Sequence, residues 1–203
     1  MIVQRLVIGT VALALVGGLT ACAPEAELDA DEMTPAPTPT TVQTAEPEPE
    51  LMFAMPTDCT SVLPASRVDA LATQNIQLLG GPGSVYGNEY FFEPTPEQRA
   101  GGISCVFAED GVDLTSLLIS VVPVSTANRA TIINGLTAQG LNEATTDTGE
   151  LTYSQQGDDG LAPAIYNVVT QQSWVAVISA VGGETFFDEA VTLAAEVNTQ
   201  TYR

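Results

Sequence analysis

The sequence predicts a single α+β domain in which helices pack on a mostly antiparallel sheet, preceded by an export signal and a stalk. Apolar strand-like runs separated by acidic-glycine turns dominate the second half of the chain, and helical patterns occur before, between and after them. A single pair of cysteines, Cys59 and Cys105, falls inside the part of the chain predicted to fold. This folded part, residues 55–203, has the length of an ordinary domain with one core.

Residues 1–21 have the layout of a signal peptide. Arg5 gives a positive start, an apolar run follows from Leu6 to Val16, and small residues precede Cys22. A membrane-spanning anchor is the alternative, but the run is short and no basic cluster follows it. We therefore expect export and removal of residues 1–21.

The four residues Leu19-Thr20-Ala21-Cys22 resemble the lipobox of bacterial lipoproteins. The resemblance implies that the Cys22 sulfur carries diacylglycerol and that Cys22 becomes the first residue, with acyl chains such as palmitate inserted in the membrane. Two acyl chains hold a protein stably at a bilayer. The expected location is therefore the extracytoplasmic, extracellular face of the cell membrane.

Residues 22–54 form an acidic, proline-rich segment that includes Glu46-Pro47-Glu48-Pro49-Glu50. Such a composition cannot bury enough apolar surface to fold, so we expect a disordered stalk. Direct binding of a partner by the Glu-Pro repeat is the alternative. The apolar residues at its end are expected to pack on the edge of the domain: Leu51, Met52, Phe53 and Met55.

The composition excludes several kinds of chemistry. There are 25 acidic residues against 5 basic ones, giving a net charge of −20, which argues against nucleic acid as a partner because phosphates need cations. The absence of histidine removes the Ser-His-Asp triad and His-ligated zinc. The absence of lysine removes Schiff bases and the P-loop.

Cys59 and Cys105 are predicted to form a disulfide. They are the remaining pair in an exported chain whose Cys22 is used for lipid. A redox-active pair is the alternative, but it lacks the CxxC spacing and a neighbouring cation that would lower the pKa of a thiol.

The first half of the folded part predicts one helix and three strands. The apolar spacing indicates a helix from about Pro64 to Thr73, since proline suits a first turn. The strands are expected at Ile76 to Leu79, Ile103 to Phe107 and Thr115 to Val124. Aliphatic residues on both faces of the third strand predict an interior position in the sheet.

The second half predicts two helices and four strands. Ser125 or Thr126 is expected to cap a helix that ends near Gln139. A capping box at Thr185 to Asp188 is expected to begin a last helix, which ends at about Gln200. Successive antiparallel hairpins are expected for Asn142 to Thr148, Leu151 to Gln156, Pro163 to Gln172 and Ser173 to Val181. The order of elements predicts helices on one face of the sheet.

The stretch from Gly80 to Gly102 is rich in glycine and lacks clear periodicity, and long loops in compact domains are usually functional or mobile. It contains the residue types enriched at binding hot spots: Tyr86, Tyr90, Phe91, Phe92 and Arg99. Trp174, at the start of a strand, is a candidate to join them. The alternative is that these rings cover the hydrophobic core.

No catalytic or metal-binding residue is assigned from the sequence. The acidic clusters Glu109-Asp110-Gly111-Val112-Asp113 and Asp158-Asp159-Gly160 lack the ligand pattern of an EF-hand and are predicted as turns. Glu93 and Glu97 could in principle act as the paired acid and base of glycoside hydrolysis, but nothing in the sequence places them in one cleft. No cofactor is expected beyond the lipid.

Four features together resemble small lipoproteins of high-GC Gram-positive bacteria, some of them classed as domains of unknown function. They are the lipobox, the acidic stalk, the run Cys59-Thr60-Ser61-Val62-Leu63-Pro64, and Cys105 leading an apolar strand. Such domains are similar to the PsbP-like α/β/α sandwich. This chain has Val106-Phe107 where many relatives have a tryptophan, and the family has no generally assigned activity, so no catalytic residue is transferred.

The expected function is therefore that of a membrane-anchored lipoprotein acting as a noncatalytic binding or accessory module at the cell envelope. Its expected partners are the membrane, through the lipid, and either a protein or an apolar small molecule. The alternative is a carboxylate-dependent envelope hydrolase. A pocket with converging carboxylates would favour the hydrolase, and a flat or apolar groove the binding module.

Overall fold

The computed structural model describes residues 51–158 and 162–203, with the backbone alone at 113–115. Within these residues one sheet of seven strands runs through a single domain, and helices pack against it. The predicted α+β class is confirmed. The expected signal peptide, Cys22, the stalk up to residue 50, and Asp159 and Gly160 of the second acidic cluster lie outside the described residues.

The elements alternate along the chain. The strands are β1 (Gln77–Gly80), β2 (Ile103–Glu109), β3 (Val112–Pro123), β4 (Asn142–Thr145), β5 (Leu151–Gln155), β6 (Ala164–Val169) and β7 (Ser173–Ser179). The helices are α1 (Ala65–Ala72), α2 (Pro96–Arg99), α3 (Arg129–Ala138) and α4 (Glu184–Thr201), with 3-10 turns at Cys59–Ser61 and Asn88–Tyr90.

Two antiparallel meanders make the sheet, in the order β1-β2-β3-β7-β6-β5-β4. β1 to β3 pair in chain order, and so do β4 to β7, which confirms the predicted series of hairpins. β3 and β7 join the meanders over seven aligned pairs, from Leu117 with Ser179 to Pro123 with Ser173. The strand predicted at Thr115 to Val124 is therefore interior, as its aliphatic residues required.

Helices cover both faces of the sheet, so the prediction that they cover one face is wrong. On β7, Val175 and Val177 belong to a core with α1 and α4, whereas Trp174 and Ala176 belong to a second core with α3. Successive side chains of a strand point to opposite faces. Because β3 and β7 are apolar on both sides, each face needs its own helical layer.

Both predicted helix starts in the second half are misplaced. The Ser125 N–H donates to Asn128 Oδ1 at 2.8 Å, so these residues form a turn and α3 begins only at Arg129. α4 follows Gly183, whose φ of 100° lies in the left-handed region, rather than a capping box at Thr185.

The two ends of the described chain pair with each other. The Met52 N–H donates to the Arg203 carbonyl at 2.8 Å, and the Arg203 N–H donates back at 3.1 Å. Phe53 and Met55 pack against the α4 side of the core, as predicted, whereas Leu51 and Met52 stay exposed. The first described residues therefore lie beside the end of α4.

Cys59 and Cys105 form the predicted disulfide. It joins the 3-10 turn before α1 to β2, and both residues are fully buried. Gly81 packs closely on it: a Cβ there would lie 2.6 Å from Cys59 Sγ, and its φ of 111° also favours glycine. The disulfide therefore links the start of the domain to β2, and the chain after β1 packs against it.

Replacing both Cys59 and Cys105 with alanine is expected to lower the free energy of unfolding by about 4 kcal/mol, because the bridge closes a long loop in the unfolded chain. Urea denaturation followed by circular dichroism measures the change, with Cys22→Ala as the matched control that leaves the bridge intact. Equal midpoints for the double variant and the parent, or thiol labelling of both cysteines in the native exported protein, would contradict the result.

Candidate functional site

The first candidate site is a group of exposed apolar side chains after β1. Val85 is 74% exposed, Tyr86 46%, Tyr90 45% and Phe92 101%. We call these four residues the aromatic surface. Phe92 is as accessible as in an extended chain, so the domain's own fold makes no use of its ring.

The neighbouring ring of Phe91 is packed inward and holds this loop on the sheet. It lies against the small core cluster of Leu79, Val106 and Ala108. The Tyr90 ring is 6.0 Å from Phe91 and 5.8 Å from Tyr86, measured between centroids. Tyr90 also lies directly on the backbone of β1, where a Cβ on Gly80 would be 2.6 Å from its Cδ1 atom. Phe91 thus covers part of the core, as the alternative expected, whereas Tyr86, Tyr90 and Phe92 remain exposed.

Carboxylates border the aromatic surface. The Tyr86 hydroxyl donates to Asp110 Oδ2 at 3.3 Å, and Glu89 and Glu93 are exposed on the same loop. The negative charge of Asp110, together with this hydrogen bond, raises the pKa of Tyr86 above its ordinary value. The surface therefore combines apolar rings with an acidic rim.

Arg99 and Trp174 do not belong to the aromatic surface. Arg99 ends α2, a short unpredicted helix with a capping box between Thr95 and Gln98. Trp174 is buried in the α3 core, and its indole N–H donates to Asn167 Oδ1 at 2.9 Å. Both residues line a separate groove of about 310 Å³ beside α3.

The second candidate site is a cleft of about 570 Å³ that no sequence pattern predicted. The β4–β5 turn, the β6–β7 turn, the start of α3, the end of α4 and Leu51 surround it. We call it the polar cleft. The side chains that give it its chemistry are those of Arg129, Glu150, Gln172, Asn198, Thr199 and Tyr202.

Two opposite charges line the polar cleft. Arg129 donates through Nη1 to the Thr170 carbonyl. Glu150 accepts from the hydroxyls of Thr146 and Thr148, and these hydrogen bonds lower its pKa. The ion pairs among residues 51–158 and 162–203 involve Arg67 instead, so Arg129 and Glu150 share the cleft without pairing.

Neutral polar groups complete the walls. Gln172 Oε1 accepts from the Phe53 N–H at 3.0 Å, which leaves the amide nitrogen as its remaining polar group. The Tyr202 hydroxyl is 2.7 Å from Thr170 Oγ1. Asn198 Oδ1 is buried and has no hydrogen-bond partner within the described part of the chain. The walls of the cleft therefore carry amide and hydroxyl groups besides the two charges.

The carboxylates singled out in the sequence do not form a metal-binding cluster where the structure describes them. Glu93 is exposed whereas Glu97 is only 6% exposed, so the two meet different surroundings. Asp110 and Gly111 make the tight turn between β2 and β3, as predicted, with Glu109 opposite Val112. Across the described ranges, no three Cys, Asp or Glu residues come within reach of one metal ion.

Removing the hydroxyls that contact Glu150 is expected to raise its pKa toward the ordinary value of 4.5. A carboxylate with a lowered pKa stabilises the fold above its unfolded pKa, and that contribution is lost as the pH falls through the folded pKa. The variants Thr146→Ala and Thr148→Ala should therefore be less stable near neutral pH and approach the parent in acid. Carbon-13 NMR titration of Glu150 measures the shift.

Thr145→Ala is the control for this titration, because Thr145 is exposed on β4 and is not among the groups that shift the pKa of Glu150. It should leave the pKa of Glu150 unchanged. An unchanged pKa in both hydroxyl variants would show that their hydrogen bonds do not hold the carboxylate.

Comparison with protein-family models, with curated proteins and with solved structures found no match to this chain. In the described ranges, no helix combines the length and the apolar character needed to cross a membrane.

Proposed function

We propose that the protein is a lipid-anchored, exported binding module of the cell envelope, and that the aromatic surface holds its protein partner. The observation that supports this most directly is the exposure of Val85, Tyr86, Tyr90 and Phe92 on one loop. Exposed apolar clusters with a polar border commonly mark protein interaction sites, and tyrosine is enriched at their energetic centres. Packing of Phe91 holds the surface in place before binding.

The charge around the aromatic surface indicates the kind of partner. Asp110 contacts Tyr86, Glu89 and Glu93 are exposed on the same loop, and the chain as a whole carries a net charge of −20. Opposite charge on a partner speeds association and suppresses wrong partners. We therefore expect a polypeptide surface that combines apolar groups with arginine or lysine.

An apolar small molecule suits the aromatic surface less well than a protein does. Pockets for such ligands are concave and enclose most of the ligand. Phe92 is fully exposed, and the cleft beside this loop, of about 340 Å³, is lined by the inward-packed Phe91 rather than by the exposed rings. A second protein surface can cover rings that project in this way.

The lipobox at Leu19 to Cys22 and the acidic stalk support the anchored part of the proposal. The Cys59–Cys105 disulfide supports export, because such bonds form and persist in oxidising compartments. The alternative, a carboxylate-dependent hydrolase, requires two converging carboxylates. Among the described residues, Glu150 is the one carboxylate that lines the polar cleft.

Cys22→Ala is expected to abolish lipid labelling, so that the protein is released to the medium or remains unprocessed. Metabolic labelling with a palmitate analogue, followed by membrane fractionation, measures both effects. The variant lacking Cys59 and Cys105 is the control and should retain the label. Firm membrane attachment with undiminished lipid labelling of Cys22→Ala would rule out the anchor.

The double variant Val85→Ser/Phe92→Ser is expected to lose its protein partner while the domain stays folded, because neither side chain contributes to a core. Crosslinking in intact cells followed by affinity capture measures the loss. Phe186→Ser is the matched control, since Phe186 is an exposed aromatic residue at the start of α4. Identical captured proteins for the double variant and the parent would refute the role of the aromatic surface.

A further inference from the structure

The polar cleft has the dimensions of a small-molecule site and is independent of the aromatic surface. Its volume of about 570 Å³ falls within the range of roughly 300–1,000 Å³ that is usual for ligand pockets. Its lining residues include none of the four residues of the aromatic surface. A ligand there would therefore add a second binding activity to the protein.

The two charged groups of the polar cleft are held in place without being neutralised by each other. The bond from Arg129 to the Thr170 carbonyl occupies one of the five guanidinium N–H groups. The hydroxyls of Thr146 and Thr148 both donate to Glu150 Oε2, so Oε1 keeps its accepting capacity. Each charge thus retains bonding capacity for a ligand group of opposite charge.

The neutral groups suit a peptide backbone, which carries one donor and one acceptor in each unit. Gln172 uses its oxygen on the Phe53 N–H, so its amide nitrogen is the group left to meet a ligand carbonyl. Asn198 lines the cleft, and its Oδ1 atom is buried without a partner within residues 51–158 and 162–203. Asn198 therefore adds an amide with an unused acceptor to the wall of the cleft.

We propose that the polar cleft binds a short peptide with both ends free, with Arg129 taking the terminal carboxylate and Glu150 taking the terminal ammonium group. A neutral sugar would use the amides but leave both charges without counter-charges. A simple anion would occupy Arg129 and meet the negative charge of Glu150. A zwitterionic peptide satisfies both charges and the amides together.

Isothermal titration calorimetry on the full chain in detergent micelles tests this proposal, with trialanine as the probe. Trialanine should bind saturably. Blocking its amino end by acetylation, or its carboxyl end by amidation, should each weaken binding roughly tenfold, because each removes a charged hydrogen bond. These comparisons use the unsubstituted protein and so do not depend on the folding of any variant.

Variants assign each end of the peptide to its residue. Arg129→Gln should bind the free acid and the amide equally, while still distinguishing a free from an acetylated amino end. Glu150→Gln should show the reverse pattern. Arg99→Gln and Glu143→Gln are the matched controls, since both residues are exposed and neither lines the cleft, and they should behave like the parent.

Equal affinities for the free and blocked peptides, or no saturable binding of trialanine, would overturn the proposal. So would a methyl glycoside that binds more tightly than trialanine, which would assign the cleft to sugars. The variant Val85→Ser/Phe92→Ser should keep the parent's affinity for trialanine. Loss of its protein partner with unchanged peptide binding therefore separates the two sites.

Discussion

The burial of β3 and β7 on both faces is the constraint on which the rest of the domain depends. Val121 and Val122 are both inaccessible to solvent, although they point to opposite sides. Neither layer of helices can be removed without exposing one side of these strands. The same constraint favours hydrogen bonds between polar groups within these buried strands, as the hydroxyls of Ser104 and Ser120 make with each other at 2.8 Å.

Local patterns in the sequence predicted most strands, because alternation and turn residues act over a few positions. Asp110-Gly111 is such a turn, and the hairpins from β4 to β7 follow from similar signals. The join between β3 and β7 could not be predicted in this way, because it pairs residues far apart in sequence. The predicted starts of α3 and α4 were wrong because Asn128 and Gly183, rather than the expected residues, precede these helices. Local hydrogen bonds such as that from Ser125 to Asn128 compete with helix formation and so shift where a helix begins.

The two candidate sites differ in how far composition reveals them. A glycine-rich loop with several aromatic residues indicated the aromatic surface, but the exposure of Phe92 and the partial burial of Phe91 depend on the cluster beneath the loop. Trp174 was misassigned because its partner, Asn167, comes from the neighbouring strand. The polar cleft is lined by residues from separate turns, from two helices and from the start of the described chain. These residues are far apart in sequence, so no local spacing predicts that they line one cleft.

The sheet order separates the two sites and gives them different structural support. β1 and β4 are opposite edges of the sheet. The aromatic surface follows β1, where the Cys59 N–H donates to the Pro82 carbonyl at 2.8 Å, so the disulfide supports this loop. The polar cleft lies between the β4–β5 turn and the paired chain ends, where backbone pairing with Arg203 supports it instead. The two sites therefore have no lining residue in common, and they are supported by different covalent and backbone contacts.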